Sequence, residues 1–227
     1  MESVLAVANF VAARHKSLDL SALIGSLAPD AEDTPLSLPV RWMGEKTRGL
    51  TVEEVMEVVR EDIEERQYYV TGRITPAVYA DRCFFDSPDP DMPVRTLSRY
   101  SDALHGLFDP KLSAIELLGL EKVDDRSFVA RWRLSGALKL PWRPLIKPYL
   151  GVTLYELDAD GLIASHNEQW SLGAAEAFAS TVWPDLGAPP APEAGILQRN
   201  EDLWRSLEPP PPRLDREPAG SREGAAW

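Results

Sequence analysis

Residues 151–170 read GVTLYELDADGLIASHNEQW, and the fold turns on this stretch. Two apolar, partly alternating runs, Leu150–Leu157 and Leu162–Leu172, flank the dipeptide Asp160-Gly161. Glycine accepts the positive φ that a tight hairpin turn needs, so the two runs predict antiparallel strands joined by a short loop. Toward the N-terminus, Phe128–Leu138 and Leu112–Val123 have the same texture and are divided by turn residues. Four such runs in succession predict an antiparallel meander.

Ahead of the strands the periodicity changes. Thr51 and Glu54 form a T-x-x-E capping box, in which each side chain satisfies an orphan amide of the first helical turn. Val52, Val55, Met56, Val59 and Ile63 then share one face, opposite a solvated face of Glu53, Glu57, Glu61, Glu64 and Glu65. Tyr68 and Tyr69 are expected to close this helix, with Gly72 in the turn that follows. Thr75–Ala80 predicts a second, short helix with Pro76 in its first turn. Cys83–Asp86 predicts a short strand ended by Ser87-Pro88. Arg95–Phe108 predicts a third helix, with Leu97, Tyr100, Leu104 and Leu107 on one stripe.

Helices followed by a strand meander make an α+β domain, spanning 51–183. Residues 1–50 add an N-terminal helix over 3–13 and a connecting segment interrupted by Pro29, Pro35 and Pro39. Residues 184–227 hold nine of the 20 prolines, among them Pro209–Pro212, and read as an extended tail. Within that tail Ile196, Leu197, Leu203, Trp204 and Leu207 share one helical face, which docks either on the domain or on a partner.

Charge narrows the function classes. The net charge is −12, with no basic run to offset it, which argues against binding a polyphosphate backbone or an anionic membrane. Nothing approaches the apolar length of a membrane span, and no basic stretch precedes the apolar N-terminus as in a secretory signal. The chain reads as soluble and intracellular. Cys83 is the only cysteine, so no intrachain disulfide forms, and its Cys83-Phe84-Phe85 setting suits a buried, inert thiol.

Tyr79-x-x-x-Cys83-Phe84-Phe85-Asp86-x-Pro88 is similar to the helix-to-strand junction of the nuclear transport factor 2-like (NTF2-like, SnoaL-like) superfamily. Gly151-x-Thr153-x-Tyr155-x-Leu157, followed by Asp160-Gly161-x-Ile163-x-x-His166-x-Glu168-x-Trp170, resembles its ending. With Leu140-Pro141-Trp142-Arg143-Pro144 between them, the chain looks specifically like the DUF2358 family of plant and algal proteins. The resemblance covers about residues 51–183. It implies an NTF2-like cone, a curved antiparallel sheet packed around helices with a pocket at the open end. It also implies a plastid as an alternative to the cytoplasm. Superfamily members include isomerases, cyclases, dehydratases and domains that only bind or dimerise, so fold leaves function open. Sheets of this shape often pair through their open faces, which makes a homodimer an expectation.

His166, Glu168 and Trp170 alternate along one strand and so project to one face. An imidazole beside a carboxylate is a general acid/base pair, and a carboxyl against tryptophan and apolar walls becomes a better base through desolvation. The alternative is that this face only lines a pocket or packs. Asp86 is a second candidate base at the pocket mouth, or else the start of an ordinary Asp-Ser-Pro turn. Tyr79 either donates to a bound carbonyl or sits in the core. Tyr155, Trp170 and Trp132 are candidate wall residues. Arg131 and Arg133 cradle an anionic ligand or pair with surface carboxylates. His105 suits the end of its helix, where a cationic ring complements the dipole.

Three readings follow. The first is a non-catalytic domain that docks a protein partner, through Leu203, Trp204 and Leu207, or a small apolar ligand. The second is a SnoaL- or ketosteroid-isomerase-like enzyme moving a proton on, or dehydrating, an apolar carbonyl compound. There Glu168 or Asp86 is the base and His166 or Tyr79 the acid, with neither metal nor organic cofactor required. The third is a carrier of a pigment or lipid-like molecule.

Overall fold

The Thr51 hydroxyl accepts the Glu54 amide at 3.3 Å and the Glu54 carboxylate accepts the Thr51 amide at 2.8 Å, so the capping box forms as read. This is seen in a computed structural model of the chain, which describes residues 44–88, 92–183, 185 and 187–214. The expected helix over 3–13 lies outside the described residues, as do most of the 1–50 segment and the end of the tail.

Helix α1 (Val52–Glu64) buries Val52, Val55, Val59 and Ile63 and leaves its glutamates in solvent. Tyr68 and Tyr69 do not close it. The chain breaks at Gln67, in the left-handed region at φ 53, and α2 (Tyr68–Thr71) starts afresh in a new direction. The Gln67 side chain holds this break by donating to Ile63 O at 2.9 Å and accepting the Ile115 amide at 2.9 Å. Both tyrosines are thereby turned into the interior.

The second expected helix is a correction. Pro76–Val78 makes a single 3-10 turn, and Tyr79 already begins β1 (Tyr79–Asp86). Thr75 is spent on Asp62, donating its amide at 2.8 Å and its hydroxyl at 2.6 Å, and Tyr79 pairs with Ile163. After β2 (Val94–Arg95) comes α3 (Leu97–Leu107), which buries Leu97, Tyr100 and Leu104. Four strands follow: β3 (Ala114–Asp124), β4 (Ser127–Ala137), β5 (Leu145–Leu157) and β6 (Ile163–Trp170). Strand β5 begins five residues earlier than Leu150, despite Pro148. Register shifts opposite Lys147-Pro148, between Leu134 and Gly136, and a proline without an N–H is tolerated at such a bulge. Gly161, at φ 76, closes the β5–β6 hairpin.

The six strands form one sheet in the order β2-β1-β6-β5-β4-β3. It is mixed rather than wholly antiparallel, because β1 leaves the helices and joins β6 running parallel to it. Helices α1, α2 and α3 pack against the concave face, which is the cone architecture that the resemblance implied.

The outer face is covered by the chain's own tail. Helix α4 (Ala174–Ser180) leads to α5 (Ala194–Leu197) and α6 (Asp202–Arg205). Leu197 and Trp204 bury against Leu150, with Leu118 and Leu207 beside them. The Trp204 ring lies over Gly119, where a Cβ would come within 2.9 Å of it. Of the two docking sites left open for this segment, the structure shows the domain itself. Leu203 points outward, 44% exposed.

Trp204→Ala is expected to cost about 3–5 kcal/mol in urea unfolding and to open residues 187–214 to limited proteolysis. Leu203→Ala is expected to stay within about 0.5 kcal/mol. Equal effects from the two would mean that the tail only rests on the sheet.

Candidate functional site

Strand β6 carries the site because its alternate residues enter the concave face. His166, Glu168 and Trp170 project there together, as the alternation predicted. His166 is fully buried among aromatic rings, with ring centroids of Phe85, Tyr100 and Tyr155 at 5.2, 5.1 and 4.9 Å. Burial pushes its imidazole down to about 3, so the ring is neutral at physiological pH. The Tyr68 hydroxyl lies 3.0 Å from Nε2 and 2.7 Å from the Tyr155 hydroxyl. With Tyr68 assigned as donor to Nε2, the ring proton sits on Nδ1. That nitrogen is 3.6 Å from Glu168 Oε1, beyond a hydrogen bond. His166 and Glu168 are neighbours, but not an ion pair.

The carboxylate is held from two sides. Tyr100 donates its hydroxyl to Glu168 Oε1 at 2.9 Å, and the Trp170 indole N–H donates to Oε2 at 2.8 Å. Beside them the Tyr69 hydroxyl meets Thr153 Oγ1 at 2.5 Å, and the Trp132 indole donates to the same hydroxyl at 2.9 Å. Burial raises the phenols of Tyr68, Tyr69 and Tyr100 well above the ordinary tyrosine value, so they act as hydroxyls.

Glu168 opens onto a cavity of about 50 Å³ at the mouth of the cone. Tyr69, Tyr100, Phe108, Trp132, Tyr149 and Trp170 supply its aromatic wall, and Met92 and Ser87 lie at its edge. Tyr155 is deeper, bonded to Tyr68 and set edge-on to His166 rather than lining the space.

Several sequence candidates lie elsewhere. Asp86 follows Phe85, whose ring is inside, so its own side chain emerges on the outer face, where it pairs with Arg213 of the tail. Arg131 alternates outward from Trp132 and bonds Glu121 at 2.9 Å. Arg133 bonds Glu116 at 2.5 Å and the Pro192 carbonyl at 2.6 Å, so neither arginine cradles an anion in the cone. Tyr79 is core, stacked behind Phe85 at 6.1 Å, and its hydroxyl has no hydrogen-bond partner among the described residues. Trp204 and Leu207 are packed on the sheet, as described above. His105 Nδ1 lies 3.2 Å from the Thr71 carbonyl. Burial pushes the Cys83 thiol well up, as an inert thiol requires. Among the described residues, no three His, Cys, Asp or Glu side chains converge as metal ligands would.

Sequence reasoning missed Tyr68, Tyr69, Tyr100, Tyr149 and Thr153 as site residues. The available signal was a tyrosine on an otherwise apolar stripe, since its buried hydroxyl must find a partner.

Fold and site together define an α+β domain of the NTF2-like cone type, with a carboxylate set in an aromatic cavity. The chain belongs to the family described as an uncharacterized conserved protein, DUF2358, whose match spans residues 53–166. Among solved structures it is similar to a candidate SnoaL-like polyketide cyclase from Jannaschia sp. CCS1, at 16% identity and TM-score 0.43, covering 65% of this chain and 100% of that one. It is also similar to an NTF-2 like protein of unknown function from Burkholderia xenovorans LB400, at 13% identity and TM-score 0.40, covering 62% and 100%. A third is a candidate ketosteroid isomerase from Kribbella flavida DSM 17836, at 17% identity and TM-score 0.39, covering 72% and 95%. No curated protein matches the sequence.

Two buried groups set opposite pH dependences. An unfolded imidazole takes its proton near 6.5 and the folded His166 near 3, so acidification through that window erodes stability. Burial raises the Asp62 carboxyl from 3.8 to about 6, despite the bonds from Thr75 and Arg66, so the folded state gains from acidification between those values. Asp62→Asn is therefore expected to lose stability faster than wild type from pH 6 to 4, by up to about 1.4 kcal/mol per pH unit in urea unfolding. A constant difference between the two proteins across that range would contradict these protonation states.

Proposed function

We propose that this protein binds a small, largely apolar molecule in the cavity at the open end of its sheet, with Glu168 as the polar anchor. One observation carries the reading: a buried carboxylate, fixed by Tyr100 and Trp170, faces a space walled by six aromatic residues. Few convergent polar groups among apolar walls are what a small-molecule site offers. The volume of about 50 Å³ favours a small ligand over a pigment or lipid fragment. Partner docking through the tail loses support, because Trp204 is spent on the chain's own sheet.

Proton transfer at the same carboxylate has one specific observation in its favour. Glu168 Oε1 is held by the Tyr100 hydroxyl at the cavity wall, so the carboxylate can take a proton from a bound carbonyl compound and return it to another atom of the same molecule.

Ligand-observed NMR with a library of small fragments is the test, with native mass spectrometry of the full-length protein for any retained mass. Fragments are expected to bind wild type, and to weaken about tenfold or more in Glu168→Gln, the loss of a charge-assisted anchor. If no fragment binds, the reading falls. A carbonyl compound that Glu168→Gln still binds but no longer turns over would favour the proton-transfer reading.

A further inference from the structure

Resting on that reading, and narrowing its ligand class, we infer that the cavity takes an organic cation: a small ammonium ion carrying apolar substituents. Its wall is built for positive charge. Among the described lining residues Glu168 is the acidic side chain, and none is Lys, Arg or His. The rings run in contact around it, with Tyr69 and Trp132 centroids 4.7 Å apart, Trp132 and Tyr149 5.8 Å, and Tyr149 and Trp170 5.3 Å. Successive planes are inclined by 41°, 70° and 46°, so the rings line the space at different inclinations. Ring faces carry the negative end of the aromatic quadrupole and attract a cation, the more so where water is excluded.

Three of the donors at the wall are spent within it. Tyr100 and Trp170 both donate to Glu168, and the Trp132 N–H donates to Thr153. The aromatic rings and the Glu168 carboxyl line the space beside the Ser87 and Tyr149 side chains. A cation gains Coulomb energy from Glu168 without requiring a hydrogen bond from it, and its alkyl groups fill the apolar remainder. About 50 Å³ encloses part of such an ion, with the rest lying in the opening. The net charge of −12 raises the local concentration of cations in the same direction.

The deciding experiment is calorimetric or NMR titration of the full-length protein with choline and with 3,3-dimethylbutan-1-ol, its uncharged carbon isostere. Choline is expected to bind at least tenfold more tightly than the isostere, to perturb the fluorescence of tryptophan, and to weaken at least tenfold in Glu168→Gln. Equal or tighter binding of the isostere overturns the cation assignment and leaves the apolar-ligand reading standing. If neither probe binds, while uncharged fragments of other shapes do, the cation assignment alone is lost. If nothing binds at all, both fall. The comparison of the two probes needs only the wild-type chain, so a variant that fails to fold does not blunt it.

Discussion

A fully buried imidazole at the centre of the concave face constrains everything around it. His166 has no access to water, so its ring stays neutral and Nε2 is matched from within, while Nδ1 has no hydrogen-bond partner among the described residues. Tyr68 supplies the contact to Nε2, and it can do so only because Gln67 breaks α1 and turns the next residues inward. Gln67 in turn is held by the backbone of Ile115 on β3. A single polar requirement in β6 thereby ties two helices to the far edge of the sheet. The tyrosines that meet it, Tyr68, Tyr69 and Tyr155, also fix Thr153 and through it Trp132, which is a wall of the cavity.

Strand alternation then assigns the two faces different work. Residues that point inward along β4, β5 and β6 are aromatic or uncharged apart from Glu168, whereas Arg133, Lys147 and Glu156 point outward. Those charges serve the tail. A proline-rich segment offers many carbonyls and few amides, so it presents acceptors that nothing within an extended chain can fill. Arg133 donates to the Pro192 carbonyl, Lys147 to the Ala188 carbonyl, and Asn167 to the Pro211 carbonyl. Where the tail does have amides, at Arg213 and Leu214, the Glu156 carboxylate accepts both. Polar clamps set its path, and Leu197 and Trp204 supply the buried area.

The capping box, the face of α1, the hairpin at Gly161 and the shared face of His166, Glu168 and Trp170 were all legible in the sequence. Each rests on local geometry, a cap or a periodicity, that needs no knowledge of the distant chain. The parallel pairing of β1 with β6 was not legible, since Tyr79 and Ile163 meet only through topology. Nor was the break at Gln67, whose partner Ile115 lies 48 residues away. Asp86 was misplaced for a related reason. Its residue type suits catalysis, but whether it faced inward depended on the phase of β1, which Phe85 fixed by packing on Tyr100. The tail followed the same rule: its apolar residues were readable, but the surface that they cover was not, and the one helical face expected for them is split between two short helices that leave Ile196 and Leu203 exposed.

Together these constraints leave little of the protein free for a ligand. The outer face is committed to the tail, and the interior between the helices and sheet is filled by the His166 network. Space remains where that network ends, beyond Glu168, because Tyr100 and Trp170 hold the carboxylate at the boundary instead of letting it turn inward. A carboxylate spent wholly on stability would be better replaced by an apolar residue, since burying a charge costs more than its hydrogen bonds return. Keeping it at the edge of an aromatic space, with its oxygens aligned by two donors, makes physical sense if something positive or proton-bearing arrives from the mouth. The same geometry that turns Asp86 and Arg131 outward therefore leaves Glu168 as the acidic side chain lining the cavity.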